Sequence, residues 1–125
     1  MDRKILIVDD EAHLRMLIQQ TLEELEDEGV ELLMASNGEE ALAAIETMKP
    51  NLVFLDVMMP KLSGFDVCER AKHQLGLKDT YIVLLTAKGQ EFDRLRGQQV
   101  GADLYMTKPF DPDALVQKAR AVLGM

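Results

Sequence analysis

Cysteine is almost missing from this chain: Cys68 stands alone among 125 residues. A disulfide framework is excluded, and Cys68, His13 and His73 show no paired-ligand spacing for zinc. Cys68 falls in a helical stretch with Val67 and Ala71 and reads as a small buried hydrophobe. Tryptophan is absent, aromatics make up 5%, and the formal charge is -8 with no basic run. From that balance nucleic acid is not expected as a direct partner. Long hydrophobic runs are lacking too. The opening MDRKILIVDDE is charged from its second residue, and its apolar run, Ile5 to Val8, is too short for a secretion signal or a membrane span. The expectation is a cytoplasmic chain with no membrane partner. Glycine-rich phosphate cradles are the last absence. There is no GxGxxG and no Walker lysine motif, and TAKGQ (Thr86 to Gln90) is too short and wrongly ordered, so a nucleotide would find little to hold it.

What remains is ordinary for one globular domain over residues 1–125, at 47% hydrophobic and 29% charged. Such a chain can bury a sizeable core without covalent staples. Apolar strand-length runs alternate with helical stripes. Ile5 to Val8 precedes Leu14, Leu17, Ile18, Thr21, Leu22 and Leu25, with Arg15, Gln19, Glu23 and Glu26 on the other face and Gly29 as a stop. Val30 to Ala35 is a more polar strand, expected nearer an edge. After the turn Ser36-Asn37-Gly38, Ala41, Leu42, Ile45 and Met48 stripe a second helix that Pro50 ends. Leu52 to Leu55 is a strand apolar throughout, and Phe65, Cys68, Ala71 and Leu75 mark the third helix. Tyr81 to Leu85 is the fourth strand. Residues 90–100 have helical length but a thin stripe of Phe92, Leu95 and Val100. Asp103 to Met106 is the fifth strand. A last helix, capped by Asp111 or Asp113, carries Leu115, Ala119, Val122 and Leu123 on one face. Five strand–helix units predict an α/β fold, a doubly wound parallel sheet with five helices on its two faces.

The strand ends carry the chemistry. Strand one stops at Asp9-Asp10, strand three at Asp56, strand four at Thr86 and strand five at Lys108. In an open parallel sheet the carboxyl ends of the strands line one edge, where ligands bind. Taken singly, each of these residues has an ordinary reading: Asp10 and Thr86 as helix caps, Lys108 as a solvated loop residue. Together they bring three carboxylates, a hydroxyl and an ammonium to one place. Carboxylates so gathered repel one another, and Lys108 supplies a single compensating charge. A divalent cation would supply the rest, and an all-oxygen set suits Mg2+, or Mn2+, better than zinc or copper. Such an ion commonly shares its shell with a phosphate, which Thr86 and Lys108 could bind. Asp56 then stands where a carboxylate nucleophile would take up a single phosphoryl group.

Four segments, ILIVDDE (Ile5 to Glu11), LVFLDVMMPKLSGFD (Leu52 to Asp66), IVLLTAK (Ile82 to Lys88) and GADLYMTKPF (Gly101 to Phe110), occur in an order and spacing that resembles the receiver domain of bacterial two-component response regulators, over essentially the whole chain. The resemblance implies a flavodoxin-like sheet of strand order 2-1-3-4-5. It implies that Asp56 accepts a phosphoryl group from a sensor histidine kinase or a histidine phosphotransfer protein, without conventional enzymatic turnover. It implies that Asp9, Asp10 and Asp56, with the backbone carbonyl of Met58, hold Mg2+. Thr86 and Lys108 would bind phosphoryl oxygens, and the Lys108–Pro109 bond would be cis. Tyr105 would be the switch aromatic that moves inward as Thr86 moves toward the phosphate, remodelling the face made by the fourth helix, fifth strand and fifth helix for a downstream protein or a second copy of the chain. Met58 and Lys88, at the positions that govern hydrolysis in such domains, are poor bases, which implies slow self-dephosphorylation.

Readings from other classes stay open on the residues alone. A haloacid-dehalogenase-type phosphatase also uses an aspartate nucleophile with magnesium, but it needs a second acid where Met58 stands. An FMN carrier needs a hydroxyl-rich loop where DDEAHLR (Asp9 to Arg15) is acidic. An unphosphorylated docking module would have no use for an intact Asp9, Asp10, Asp56, Thr86 and Lys108. With no output domain within 125 residues, the chain is expected to be either a stand-alone receiver or one excised from a larger regulator.

Overall fold

The alternation of apolar runs and helical stripes folds as expected. The computed structural model describes residues 3–87, 94–108 and 110–125. Strands β1 (Lys4–Val8), β2 (Glu31–Ala35), β3 (Leu52–Asp56), β4 (Tyr81–Ala87) and β5 (Leu104–Lys108) form one sheet of order β2-β1-β3-β4-β5. Every pairing is parallel, with Leu6 opposite Leu33 and Val53, and Leu55 opposite Leu84. The polar β2 is an edge strand.

Parallel strands joined by helical crossovers are covered on both faces, which is why Ile5 to Val8 of β1 and Leu52 to Leu55 of β3 are apolar at every position. Successive side chains point to opposite faces. Leu6, Val8, Val53, Leu55, Ile82 and Leu84 share one core with Ala41, Ile45, Val67 and Cys68. Their alternates Ile5, Ile7, Leu52, Phe54, Val83 and Leu85 share the other with Ile18, Leu22, Leu115 and Ala119. Thus α3 (Gly38–Met48) and α4 (Gly64–Glu69) cover one face, and α1 (Ala12–Thr21), α2 (Glu23–Asp27) and α6 (Pro112–Leu123) the other. Helix α5 (Arg94–Gln99) lies between β4 and β5 in sequence. Local chemistry starts the helices: the Asn37 side chain accepts from the Glu40 N–H, and Asp111 from that of Asp113. Lys49, in left-handed conformation before Pro50, ends α3.

Three local features depart from the sequence reading. The expected first helix is two, because the backbone at Leu22 (φ -96°, ψ 7°) interrupts it. Ile18, Leu22 and Leu25 are all buried, so the apolar face continues across the break, whereas Leu17 is 49% exposed. Among the described residues this makes six α-helices where five were expected. Beyond Glu69, α4 runs on as a wider π-helical turn over Arg70–Gln74, in which the Leu75 N–H reaches the Arg70 carbonyl. Within that turn Lys72 is only 7% exposed, its ammonium 2.8 Å from Asp103 and hydrogen-bonded to the Lys78 and Thr80 carbonyls. Buried charge is tolerable only with such partners.

Candidate functional site

Because the strands are parallel and in register, their carboxyl ends come together. Asp9 follows β1, Asp56 closes β3, and Lys108 closes β5. Thr86 follows Leu85, the register partner of Asp56, and itself pairs with Thr107. Carboxylate oxygens of Asp9, Asp10 and Asp56 all lie within 4.8 Å of one another. Lys108 Nζ bridges two of these acids, 3.1 Å from Asp9 Oδ2 and 3.0 Å from Asp56 Oδ1.

Asp9 is completely buried. Its N–H donates to the Ala35 carbonyl (3.3 Å), and its Oδ1 accepts from the Glu11 N–H (3.0 Å). Its carbonyl accepts from the Arg15 guanidinium at 2.5 Å. Asp10 is exposed and forms the open side of the cluster. Asp56 and Thr86 are buried, whereas Met58 is 60% exposed. The backbone N–H of Met58, just past the strand, adds a small lowering influence on the Asp56 carboxyl.

Burial pushes the Asp56 carboxyl up to about 6; hydrogen bonding from Lys108 holds it down, and the charge of Asp9 pushes it up again. At neutral pH it is mostly ionised within a site largely removed from water. Burial opposes the charge on Lys108, but the Asp56 and Asp9 carboxylates outweigh it and raise the ammonium above its ordinary value. It stays a cation. Lys108 bridges only two of the three acids, and a set of hard oxygen donors that includes the exposed Asp10 fits a divalent cation such as Mg2+.

The turn after Asp56 is shaped by a glycine. A Cβ on Gly64 would lie 2.3 Å from the Asp56 carbonyl oxygen and 2.9 Å from Val57 Cα, so only glycine admits this approach. The Gly64 N–H donates to the Val57 carbonyl (3.0 Å), and Ser63 and Asp66 close a reciprocal cap at the start of α4. Tyr105 is set back along β5, opposite Leu84 and partly buried. A Cβ on Gly97 of α5 would come within 3.2 Å of its ring. Beside it, Gly97, Gln98, Ala102, Asp103, Leu104 and Tyr105 line a groove of about 250 Å³.

The strand ends therefore bring Asp9, Asp10, Asp56 and Lys108 into one cluster, with Thr86 on the adjoining strand and Tyr105 apart from it. Arg15, which periodicity places away from the apolar stripe, donates to the Asp9 carbonyl. Gly64 and Gly97 carried no assigned role, although the glycine three residues past Lys61 was a visible signal. Lys88, Phe92 and Pro109 lie outside the described residues, and with them the cis-peptide expectation and the start of the fourth expected helix. Cys68 is buried as expected, and burial pushes its thiol up to about 12. Among the described residues no helix is long and apolar enough to cross a membrane.

Comparison with known proteins agrees with this fold. The family model described as the response regulator receiver domain matches residues 5–120. The alkaline phosphatase synthesis transcriptional regulatory protein PhoP of Bacillus subtilis is 46% identical over 123 residues, covering 98% of this chain and 49% of that protein. The phosphate regulon transcriptional regulatory protein PhoB of Pseudomonas aeruginosa is 46% identical over 121 residues, covering 97% of this chain and 52% of that protein. Among solved structures, the chemotaxis protein CheY4 of Vibrio cholerae superposes with a TM-score of 0.84 at 32% identity, covering 98% of this chain and 99% of that one. The chain thus spans about half the length of the curated relatives it matches. One expectation is overturned here. Acidity argued against a direct nucleic-acid partner, yet these relatives are transcriptional regulators. The charge of -8 belongs to these 125 residues alone and does not bear on the remaining half of proteins of that length.

Proposed function

This chain belongs to the response regulator receiver domain family, and from that premise we propose that Asp56 accepts a phosphoryl group from a phosphohistidine of a sensor histidine kinase or a histidine phosphotransfer protein. The observation that carries the reading is the cluster itself: a buried, desolvated carboxylate held 3.0 Å from a lysine and flanked by two further acids. A carboxylate oxygen of Asp56 attacks phosphorus, the P–N bond breaks, and the imidazole nitrogen takes the electron pair. Asp9, Asp10 and Asp56, with the Met58 carbonyl, would hold Mg2+ (or Mn2+), which supplies charge neutralisation for the transferred oxygens. Lys108, already poised between Asp9 and Asp56, binds one phosphoryl oxygen and Thr86 another. The product is an aspartyl phosphate, and the domain acts as a switch without a turnover substrate.

The output is a shift between conformations. An added phosphoryl group draws in Thr86, and Tyr105 follows into the space it leaves. That changes the α5–β5–α6 face, on whose helix α5 Leu95 is 64% exposed. Gly97 supports this role for Tyr105, since any larger residue would crowd the ring. The poor bases Met58 and Lys88 go with a long-lived adduct. In this reading residues 1–125 form the receiver and act in the cytoplasm, and the likeness to the transcriptional regulators PhoP and PhoB supports transcription as the process controlled. The test is chemical: phosphorylated protein is reduced with borohydride, which converts an aspartyl phosphate to homoserine, and the peptides are sequenced. Homoserine at position 56 is expected. Homoserine at another aspartate, or phosphate on a hydroxyl or imidazole, would refute the assignment of Asp56.

A further inference from the structure

We infer that Arg15 is a positioning residue for cation binding, holding the Asp9–Asp10 peptide so that both carboxylates face the same site. The inference rests on the reading of Asp9, Asp10 and Asp56 as cation ligands. Arg15 lies in the first turns of α1, its N–H bonded to the Glu11 carbonyl, while its guanidinium turns back to donate to the Asp9 carbonyl. That carbonyl belongs to the peptide joining the two acids, so its direction sets where the exposed Asp10 begins. The remaining polar groups of Asp9 are also occupied: its N–H by Ala35, Oδ1 by the Glu11 N–H, and Oδ2 by Lys108. Among the described residues, the bond from Arg15 is the one that holds the carbonyl of the peptide between the ligands.

A guanidinium beside an acidic cluster would ordinarily lower its affinity for a cation by repulsion. Here the charge is partly matched from the other side. Glu40, in the first turn of α3, accepts from the N–H and hydroxyl of Ser36, and Arg15 is close enough to help hold its carboxyl below the ordinary range. Arg15 therefore links the β1–α1 loop to the start of α3, the two segments that follow the paired strands β1 and β2. Partners of this kind, which orient a ligand without touching the ion, commonly govern affinity.

Positioning and repulsion give opposite signs. Mn2+ binding is measured by the electron paramagnetic resonance of the free ion on wild type, Arg15→Met, Arg15→Lys and Arg120→Ala. The last loses an ion pair with Glu24 (2.7 Å) remote from the site and reports what general destabilisation does. Arg15→Met is expected to bind about tenfold more weakly, Arg15→Lys to recover part of that, and Arg120→Ala to match wild type. Circular dichroism on each variant checks that it is folded; should Arg15→Met not fold, Arg15→Lys carries the comparison, with weaker binding than wild type expected. Affinity in a folded Arg15 variant equal to or tighter than wild type would overturn the inference while leaving the cation site standing. Absence of Mn2+ binding by wild type would overturn the cation reading and this inference with it.

Discussion

A carboxylate at the end of a strand buried on both faces costs stability unless something uses it. Asp56 shows the cost in its raised pKa, and the sign of the linkage follows. Its native value of about 6 stands above the ordinary 3.8, so the protonated form is favoured by folding. That contribution is complete below about pH 4 and is lost as pH rises through about 6. At pH 8, without divalent cations, Asp56→Asn is expected to be more stable than wild type by on the order of 1 kcal/mol after solvent screening. The gain should vanish toward pH 4. Urea denaturation at pH 4, 6 and 8 in EDTA checks this, and a variant less stable than wild type at pH 8 would contradict it. The acids were legible at this scale because apolar runs stop abruptly at Asp9 and Asp56. Arg15 was not. Helical periodicity assigns a residue to a face from its Cβ direction, whereas a guanidinium at the end of a long side chain can turn back to a carbonyl six residues earlier.

At the scale of elements, the loop between β3 and α4 shapes the site most. Gly64 lets α4 begin against the Asp56–Val57 backbone, and the Ser63–Asp66 cap fixes where it begins. Gly64→Ala forces its methyl into the Asp56 carbonyl, so the loop must shift at a cost of about 1–3 kcal/mol. Denaturation should show that loss together with weakened phosphoryl uptake; an unchanged midpoint with wild-type uptake would contradict the packing described. Most elements could be read from the chain, since the continuous apolar runs are of strand length and rich in branched residues, whereas the helical stripes extend further. The break at Leu22 could not, because its apolar stripe passes through unbroken. Nor could the π-helical turn. A lysine in a helix reads as solvated, and the groups that make Lys72 tolerable inside, Asp103 and the carbonyls of Lys78 and Thr80, are brought to it only by tertiary folding.

For the molecule as a whole, alternation of strand and helix was enough for a parallel sheet covered on both faces. The order 2-1-3-4-5 came from the resemblance, since a buried strand pattern does not say which strand lies next to it. The charge of the chain was over-read in the other direction, as the transcriptional regulators among its relatives show. Ligand binding acts on the whole fold by mass action. If the acids hold Mg2+, saturating the ion at about a hundred times its dissociation constant should add roughly 2.7 kcal/mol to stability. Asp10→Ala should lose most of that increment, and thermal melts with and without Mg2+ read it directly; equal shifts in both proteins would contradict a role for Asp10.

The most direct test of phosphoryl uptake is intact mass after incubation with acetyl phosphate, with and without Mg2+, on wild type and Asp56→Asn. A single alkali-labile phosphoryl adduct that needs both Mg2+ and Asp56 is expected. An adduct that forms on Asp56→Asn, or that forms on wild type equally well in EDTA, would contradict the account.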